Sequence, residues 1–294
     1  MQSAPPSLSN DSTPADRLRS LSLADEYRTG SSEPISDFYA PCLSVSRRYC
    51  RAVGYFRSSI YQIVGPAIVD FARKKGMISL VCSPELTEDD QNAIESGYKN
   101  REGVASERIE EEIDRLLADP ELQLRVRILA TLIATGAMEV RIAIRPPSHG
   151  LYHEKIGIFS DAHEEHVSFI GSANESWSGW HEKGNFESVE VFRSWRDQSE
   201  RDRAERHLSN FKMLWDGTTK DVMTVPFPEA ARRKLCMNAA TSIDDAEREA
   251  AAHWDVAPKP LEQKKRTLMP HQQNAIDAWI AQGVDLLAEL TLSN

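Results

Sequence analysis

Between residues 138 and 192 four short runs with strand-like patterning follow one another across brief connections: 138–145, 152–159, 166–170 and 186–192. Side chains along a strand point alternately to opposite faces, so runs of this length and period read as strands of one sheet. The chain before them is organised differently. The run 49–56, Tyr-Cys-Arg-Ala-Val-Gly-Tyr-Phe, has strand character, and Ser58 or Ser59 offers an N-cap to a helix reaching about Lys75. Gly76 closes that helix, and Met77 to Cys82 makes a second strand. A helical stretch over 87–135 follows, with Ile109, Ile113, Leu116 and Leu117 at helical spacing, and helix returns at 197–215. The expected class is α/β: a mixed sheet flanked by helices on both faces, with a helical insertion and a helical C-terminal extension.

A chain of 294 residues holds one sizeable domain plus appended segments. Residues 1–35, rich in Ser, Pro, Asp and Thr, offer too little apolar surface to offset the entropy of ordering them and are expected to form a disordered tail. The main domain is expected over 36–222. Beyond it Pro226, Pro228, Pro258 and Pro260 interrupt charged stretches, which predicts a linker with short helices over 223–265. No internal repeat of solenoid length is present. No apolar run approaches the ~20 residues that span a bilayer, and the N-terminus lacks a secretory leader's basic start and apolar centre. Cys42, Cys50, Cys82 and Cys236 fall at irregular spacings that suit neither a disulfide framework nor a zinc cage. A reduced cytoplasmic protein, without membrane contact, metal or cofactor, is the resulting expectation.

The net charge of −10 excludes a generic basic coat for nucleic acid, but the distribution is uneven. Residues 41–83 carry seven basic side chains against one acidic, whereas 84–122 carry thirteen acidic against four basic. The acidic excess falls on a helical stretch and reads as a solvated face.

The chemistry lies between His153 and Glu190. Residues two apart on a strand share a face, so His153 and Lys155 project together. An imidazole can attack a phosphodiester while a neighbouring ammonium offsets charge building on the non-bridging oxygens. The next strand runs into Gly171-Ser172-Ala173-Asn174, a small-residue turn whose backbone and side-chain donors can close on a phosphate. Ser172 supplies a hydroxyl and Asn174 a neutral donor. A half-buried structural histidine is the plain alternative for His153, but it leaves Lys155 and the downstream turn unexplained.

These residues resemble the phospholipase D superfamily, whose pattern is HxKxxxxD followed by GSxN. His153, Lys155, Gly171, Ser172 and Asn174 match it; the fourth residue past Lys155 is Ser160, with the acid one place later at Asp161. Asn185-Phe186-Glu187 is similar to the Asn-x-Glu pair of nuclease members, which implies that Glu187, or alternatively Glu190, orients or charge-balances the imidazole. Arg51 to Ser59 and Gly171 to Trp180 look like phospholipase D-like domains fused ahead of bacterial helicases, a likeness covering roughly 38–215. The resemblance implies a phospholipase D-like fold over 36–222 and a metal-independent nuclease. Its intermediate would be a phosphohistidine on His153, with Lys155 and Asn174 stabilising charge and Ser172 and Glu187 assisting. One chain carries one such motif where the superfamily uses two. A homodimer sharing the site is therefore implied.

The segment Arg266 to Trp279 is similar to the opening of superfamily-two helicase motors, yet no GxxxxGK[ST] loop follows before Asn294. Residues 266–294 are thus expected to begin a helicase-like segment without an ATP-binding loop, the chain being the front portion of a longer protein or a natural truncation. An ordinary amphipathic helix would give the same pattern. The expected partners are nucleic acid, DNA before RNA, a second copy of the chain, and a helicase motor in cis or trans. Two other functions fit the motif: a non-catalytic nucleic-acid-binding or dimerisation module of a helicase, and a phospholipid phosphodiesterase. His181-Glu182-Lys183 is a second HxK in a Gly-flanked loop and is read as coincidence. His149, His163 and His166 are read as loop or surface residues. Trp177, Trp180 and Trp195 could stack bases, with core packing the commoner use.

Overall fold

A computed structural model describes residues 17–55, 61–84, 101–118, 120–146, 152–173, 180 and 186–250, together with 274, 277, 278 and 280. The chain divides into two units, Met1–Val256 and Ala257–Asn294. In the second unit the described residues Asn274, Asp277, Ala278 and Ile280 are helical and exposed; the helicase-like reading of 266–294 otherwise falls outside the described residues.

The first unit is built on an eight-stranded mixed sheet: β1 (Glu26–Arg28), β2 (Arg48–Tyr55), β3 (Met77–Ser83), β4 (Met138–Ile144), β5 (Ile156–Ser160), β6 (His166–Gly171), β7 (Ser188–Arg193) and β8 (Met223–Pro226). The strand order is β1-β7-β6-β5-β2-β3-β4-β8. Strands β2, β3 and β4 are parallel, and every other pairing is antiparallel. Helix α2 (Tyr61–Arg73) makes the β2–β3 crossover, while α3 (Arg101–Ala118) and α4 (Pro120–Ala134) lie between β3 and β4. α1 (Ala40–Val45), preceded directly by a π-helical turn at Ile35–Tyr39, α5 (Gln198–Trp215), α6 (Glu229–Met237) and α7 (Ile243–Ala250) are the other α-helices given ranges in the first unit.

Burial on both faces explains the near-continuous apolar composition of the central strands. Tyr49, Val53, Leu80, Val140 and Phe159 enter the larger core with Phe38, Ile68, Phe71, Ile113 and Leu129. The intervening Ala52, Val81, Ala143, Ile156 and Ile158 pack with Phe211 and Leu214 of α5 on the other side. Ile109, Ile113 and Leu116 are buried, as the helical spacing predicts. Asp197 caps α5 by accepting from the Glu200 N–H at 3.0 Å. The turn after α2 differs in detail from expectation. Lys75, at φ 59°, takes the left-handed position, and Gly76 is required instead because a Cβ there would come within 2.6 Å of the Phe71 ring.

Two boundaries move. Residues 17–35 are not tail: Leu18 is fully buried, Tyr27 stacks on Phe38, and β1 pairs with the edge of β7. Arg193 and Arg196 hold this segment through Asp25, and Arg17 and Arg19 reach Glu165. A few well-placed apolar anchors suffice where a preformed sheet edge and ion pairs receive them. Nor is 223–250 a linker. β8 extends the sheet beside β4, Ala231, Leu235 and Ala246 are buried, and Lys234, Arg73 and Arg127 pair with Asp114, Asp244 and Glu249. Lys234 of α6 thus pairs with part of the acidic face of α3, where Asp114 stays exposed. No helix among the described residues is long and apolar enough to cross a membrane.

Two histidines lie between β5–β6 and α5. His166 Nδ1 bonds Ser160 Oγ, and His207 Nδ1 bonds Ser168 Oγ, each at 2.9 Å. Burial holds both below the ordinary histidine value of 6.5, and Arg206 and Arg203 add to the effect at His207. A base depressed in the folded state gives stability that is complete above its unfolded pKa and lost as pH falls. The melting temperature should therefore drop between pH 7.5 and 5.5, and less steeply in His207→Gln, which keeps a bond to Ser168. A flat or rising profile in the parent would contradict this placement of the two rings.

Candidate active site

Sheet topology gathers the motif. Because β5 is antiparallel to β2 and β6, and β7 to β6, the N-terminal ends of β5 and β7 lie at the same edge as the C-terminal ends of β2 and β6. His153 and Lys155 enter β5 at that edge, Gly171-Ser172-Ala173 leave β6 there, and Glu187 enters β7 there. The ladder of β5 begins only at Ile156, so 152–155 is extended backbone outside the sheet and not the strand expected for these positions. Tyr152 anchors it, buried with its hydroxyl donating to Glu154 Oε2 at 2.9 Å.

His153 and Lys155 do share a side. Lys155 Nζ stands 3.0 Å from His153 Nε2 and 3.1 Å from Nδ1, near-equidistant from both ring nitrogens. A position in the ring plane at that spacing would overlap the carbon between them, so the ammonium lies over the ring face. Burial and then the Lys155 charge hold the imidazole below its usual value, favouring the neutral, nucleophilic form. Lys155 is itself lowered by burial and by Arg51, against the opposing pull of Glu187.

Two residues beneath this pair carry no motif letter. Arg51, 1% exposed, donates from Nη2 to the Ala173 carbonyl at 2.7 Å and lies 5.1 Å over the Phe169 ring. It thereby fixes the turn that follows Gly171. Gly54 lies where β2 slips register between Ala52 and Tyr55, and a Cβ there would fall 2.6 Å from His153 Cδ2. Glycine is what lets the imidazole lie against the strand. The sequence carries both signals: an arginine in the middle of a strand interior that is otherwise apolar, and a glycine three residues after it. Gly54→Ala should therefore leave the melting temperature nearly unchanged while lowering turnover about ten- to a hundred-fold by displacing the ring. Equal turnover in the two proteins would mean that ring position is uncritical.

Gly171 also tolerates no side chain, since a Cβ would lie 2.2 Å from the Ser188 carbonyl, which the Ser172 N–H approaches at 3.3 Å. Ser172 is exposed at this edge. Glu187 is held by its backbone, its carbonyl accepting from Thr29 N–H at 3.0 Å and its N–H donating to Thr29 Oγ1 at 3.2 Å. Asn174, His149, Trp177 and His181 fall outside the described residues.

Other candidates lie elsewhere. Glu190, the alternative to Glu187, lines a cleft with Asp25, Glu26, Asp197 and Glu200. Asp161 is buried in the β5–β6 turn: Oδ1 accepts from the N–H groups of His163 and Glu165 at 2.8 and 3.1 Å, and Oδ2 from Leu18 at 3.0 Å. Its shift by one place relative to the motif is thus accommodated as a turn and tail anchor. His166 is buried rather than a surface residue. Trp180 is core, stacked edge-on to Tyr39 and Phe169, and Trp195 packs against the same core. The described residues contain no cluster of three or more His, Cys, Asp or Glu side chains able to hold a metal ion.

No family model and no curated protein matches the chain. Among solved structures, it is similar to NucT from Helicobacter pylori at 14% identity and a TM-score of 0.38, over 68% of this chain and 97% of that one. It is also similar to phosphatidylserine synthase from Haemophilus influenzae Rd KW20 at 10% identity and a TM-score of 0.40, over 78% of this chain and 46% of that one.

Proposed function

We propose that this chain is a phospholipase D-type phosphodiesterase acting on nucleic acid, DNA before RNA, through a covalent phosphohistidine on His153. The observation that carries the reading is the ammonium of Lys155 held about 3 Å from both nitrogens of an exposed imidazole whose proton affinity is lowered. A ring nitrogen of His153 attacks phosphorus and forms the P–N bond as the P–O bond to the leaving alkoxide breaks. That alkoxide takes a proton from a second histidine. Water then attacks phosphorus, giving its proton to that second histidine, and the P–N bond breaks to restore His153. Lys155, with the Ser172 and Asn174 donors, offsets charge on the non-bridging oxygens, where the gain is greatest in the transition state. Glu187 opposes the lowering of the Lys155 pKa by burial and Arg51, and so favours the charged ammonium.

One His153 cannot stand on both sides of phosphorus, so the second histidine is taken to be His153 of another copy, in a symmetric dimer. Cleavage of plasmid, single-stranded DNA and RNA should proceed in excess chelator, because among its described residues the site offers an imidazole and an ammonium and no cluster able to hold a metal ion. Heterodimers formed with His153→Ala chains should be inactive or severely impaired. Loss of all cleavage in chelator, or full activity from a monomer, would overturn the corresponding part of this mechanism.

A further inference from the structure

We propose that Arg28 and Phe186 form a nucleobase-stacking subsite at the rim of the active edge, taking one unpaired nucleotide of a single-stranded nucleic acid. This rests on the phosphodiesterase reading above and names the form of its substrate. Phe186 is 67% exposed, and of the exposed large apolar residues described it alone is aromatic. Lone apolar side chains are common on surfaces, but this one is built in. The two Thr29–Glu187 bonds pin the backbone beside it. The Arg28 guanidinium lies over one face of the ring, 4.8 Å from its centroid, so a base would stack on the opposite face, and a Cβ on Gly30 (φ +89°) would make ordinary van der Waals contact with Phe186 Cε2 at 3.5 Å. Arg28 is fixed in turn, its N–H donating to Ser32 Oγ and its carbonyl accepting from the N–H groups of Ser31 and Ser32. Among the described residues no carboxylate pairs with its guanidinium.

A held aromatic ring with an adjacent guanidinium has a specific use. The ring stacks a base of any identity, while the planar cation takes a phosphate oxygen pair. The pairing of Arg28 with Ser188 puts both groups at the edge where His153 and Lys155 lie, and Phe186 is one residue from Glu187, whose charge acts on Lys155. Bases in a duplex are already stacked on one another, so such a platform selects unpaired nucleotides. A lone ring is also a meagre membrane anchor, which places a phospholipid second.

The test measures binding by the His153→Ala chain, which cannot cut, to a short oligothymidylate, to an abasic oligonucleotide of the same length, and to phosphatidylglycerol vesicles. The parent should bind oligothymidylate about five- to a hundred-fold more tightly than the abasic strand. Phe186→Ala should bring that ratio to about one without weakening abasic binding, Phe186→Trp should restore it, and Arg28→Ala should weaken both ligands. Circular dichroism and melting of Phe186→Ala should match the parent, because the ring lies outside the core. A ratio that survives Phe186→Ala overturns the subsite, as does loss of vesicle binding with the ratio intact. Hydrolysis of bis(p-nitrophenyl) phosphate by the unsubstituted chain separates the two readings. If it persists while the ratio survives Phe186→Ala, only the subsite fails. If it is absent while the ratio collapses, the subsite holds and the catalytic reading fails.

Discussion

His153→Ala is expected to lower phosphodiester cleavage by on the order of four to six orders of magnitude, the scale seen when a covalent nucleophile is removed. Binding of single-stranded DNA should change by less than about tenfold, because the imidazole acts on phosphorus rather than holding the strand. Lys155→Met should cost about a hundred- to a thousand-fold in kcat, as for loss of one preorganised donor to a charge-bearing transition state. The pH profile distinguishes the roles. Attack requires one neutral imidazole and proton transfer to the leaving oxygen a second, protonated one, so the profile should be bell-shaped; burial together with Lys155 lowers the His153 pKa, which places the acid limb below pH 6.5. Removing the ammonium takes away one of those causes and should move the acid limb to higher pH. Quenched-flow measurement of single-turnover cleavage across pH reads both effects. Residual cleavage within tenfold of the parent in His153→Ala would sink the nucleophile assignment.

Arg51→Ala should be the most damaging substitution in the core of the site. It strips the Ala173 carbonyl of a buried donor, empties the space over Phe169, and frees the turn after Gly171. A loss of about 2–4 kcal/mol follows from an unsatisfied buried acceptor plus a cavity. For a domain of this size that corresponds to a drop of roughly 5–15 °C in Tm. Arg51→Met keeps most of the stem volume and should recover much of the stability without recovering kcat, because the turn is still unheld. It should also raise the Lys155 pKa, since Arg51 is one of the charges depressing it. Calorimetry with steady-state kinetics on both variants checks the division. If Arg51→Met restored kcat along with Tm, the guanidinium would serve packing alone.

Several elements are legible in the sequence alone. Strands β2, β3, β4, β6 and β7 and helix α5 fall within a residue or two of their predicted ranges, because alternating apolar positions and an acidic N-cap are local signals. Strand β5 is not fully legible: the predicted run starts at Tyr152, yet its ladder starts at Ile156, and 152–155, which carry His153 and Lys155, lie outside the sheet. Segments 17–35 and 223–250 were misread for a different reason. Their anchors are sparse or small, such as Leu18, Tyr27, Ala231 and Ala246, and acquire value only against surfaces made by distant residues.

The sequence by itself determined the class of sheet, the residue types on which the proposed phosphodiester chemistry rests and the two-residue spacing that sets His153 beside Lys155, since all three depend on neighbours along the chain. Only the tertiary structure decided that Arg51 lies under the turn at Ala173 and that Gly54 makes room for the imidazole. It also turned Asp161 into a hairpin anchor and left Phe186, not Trp180, on the surface. Each of these is a contact between residues from separate strands, and strand order and register, which no local pattern encodes, determine which side chains meet.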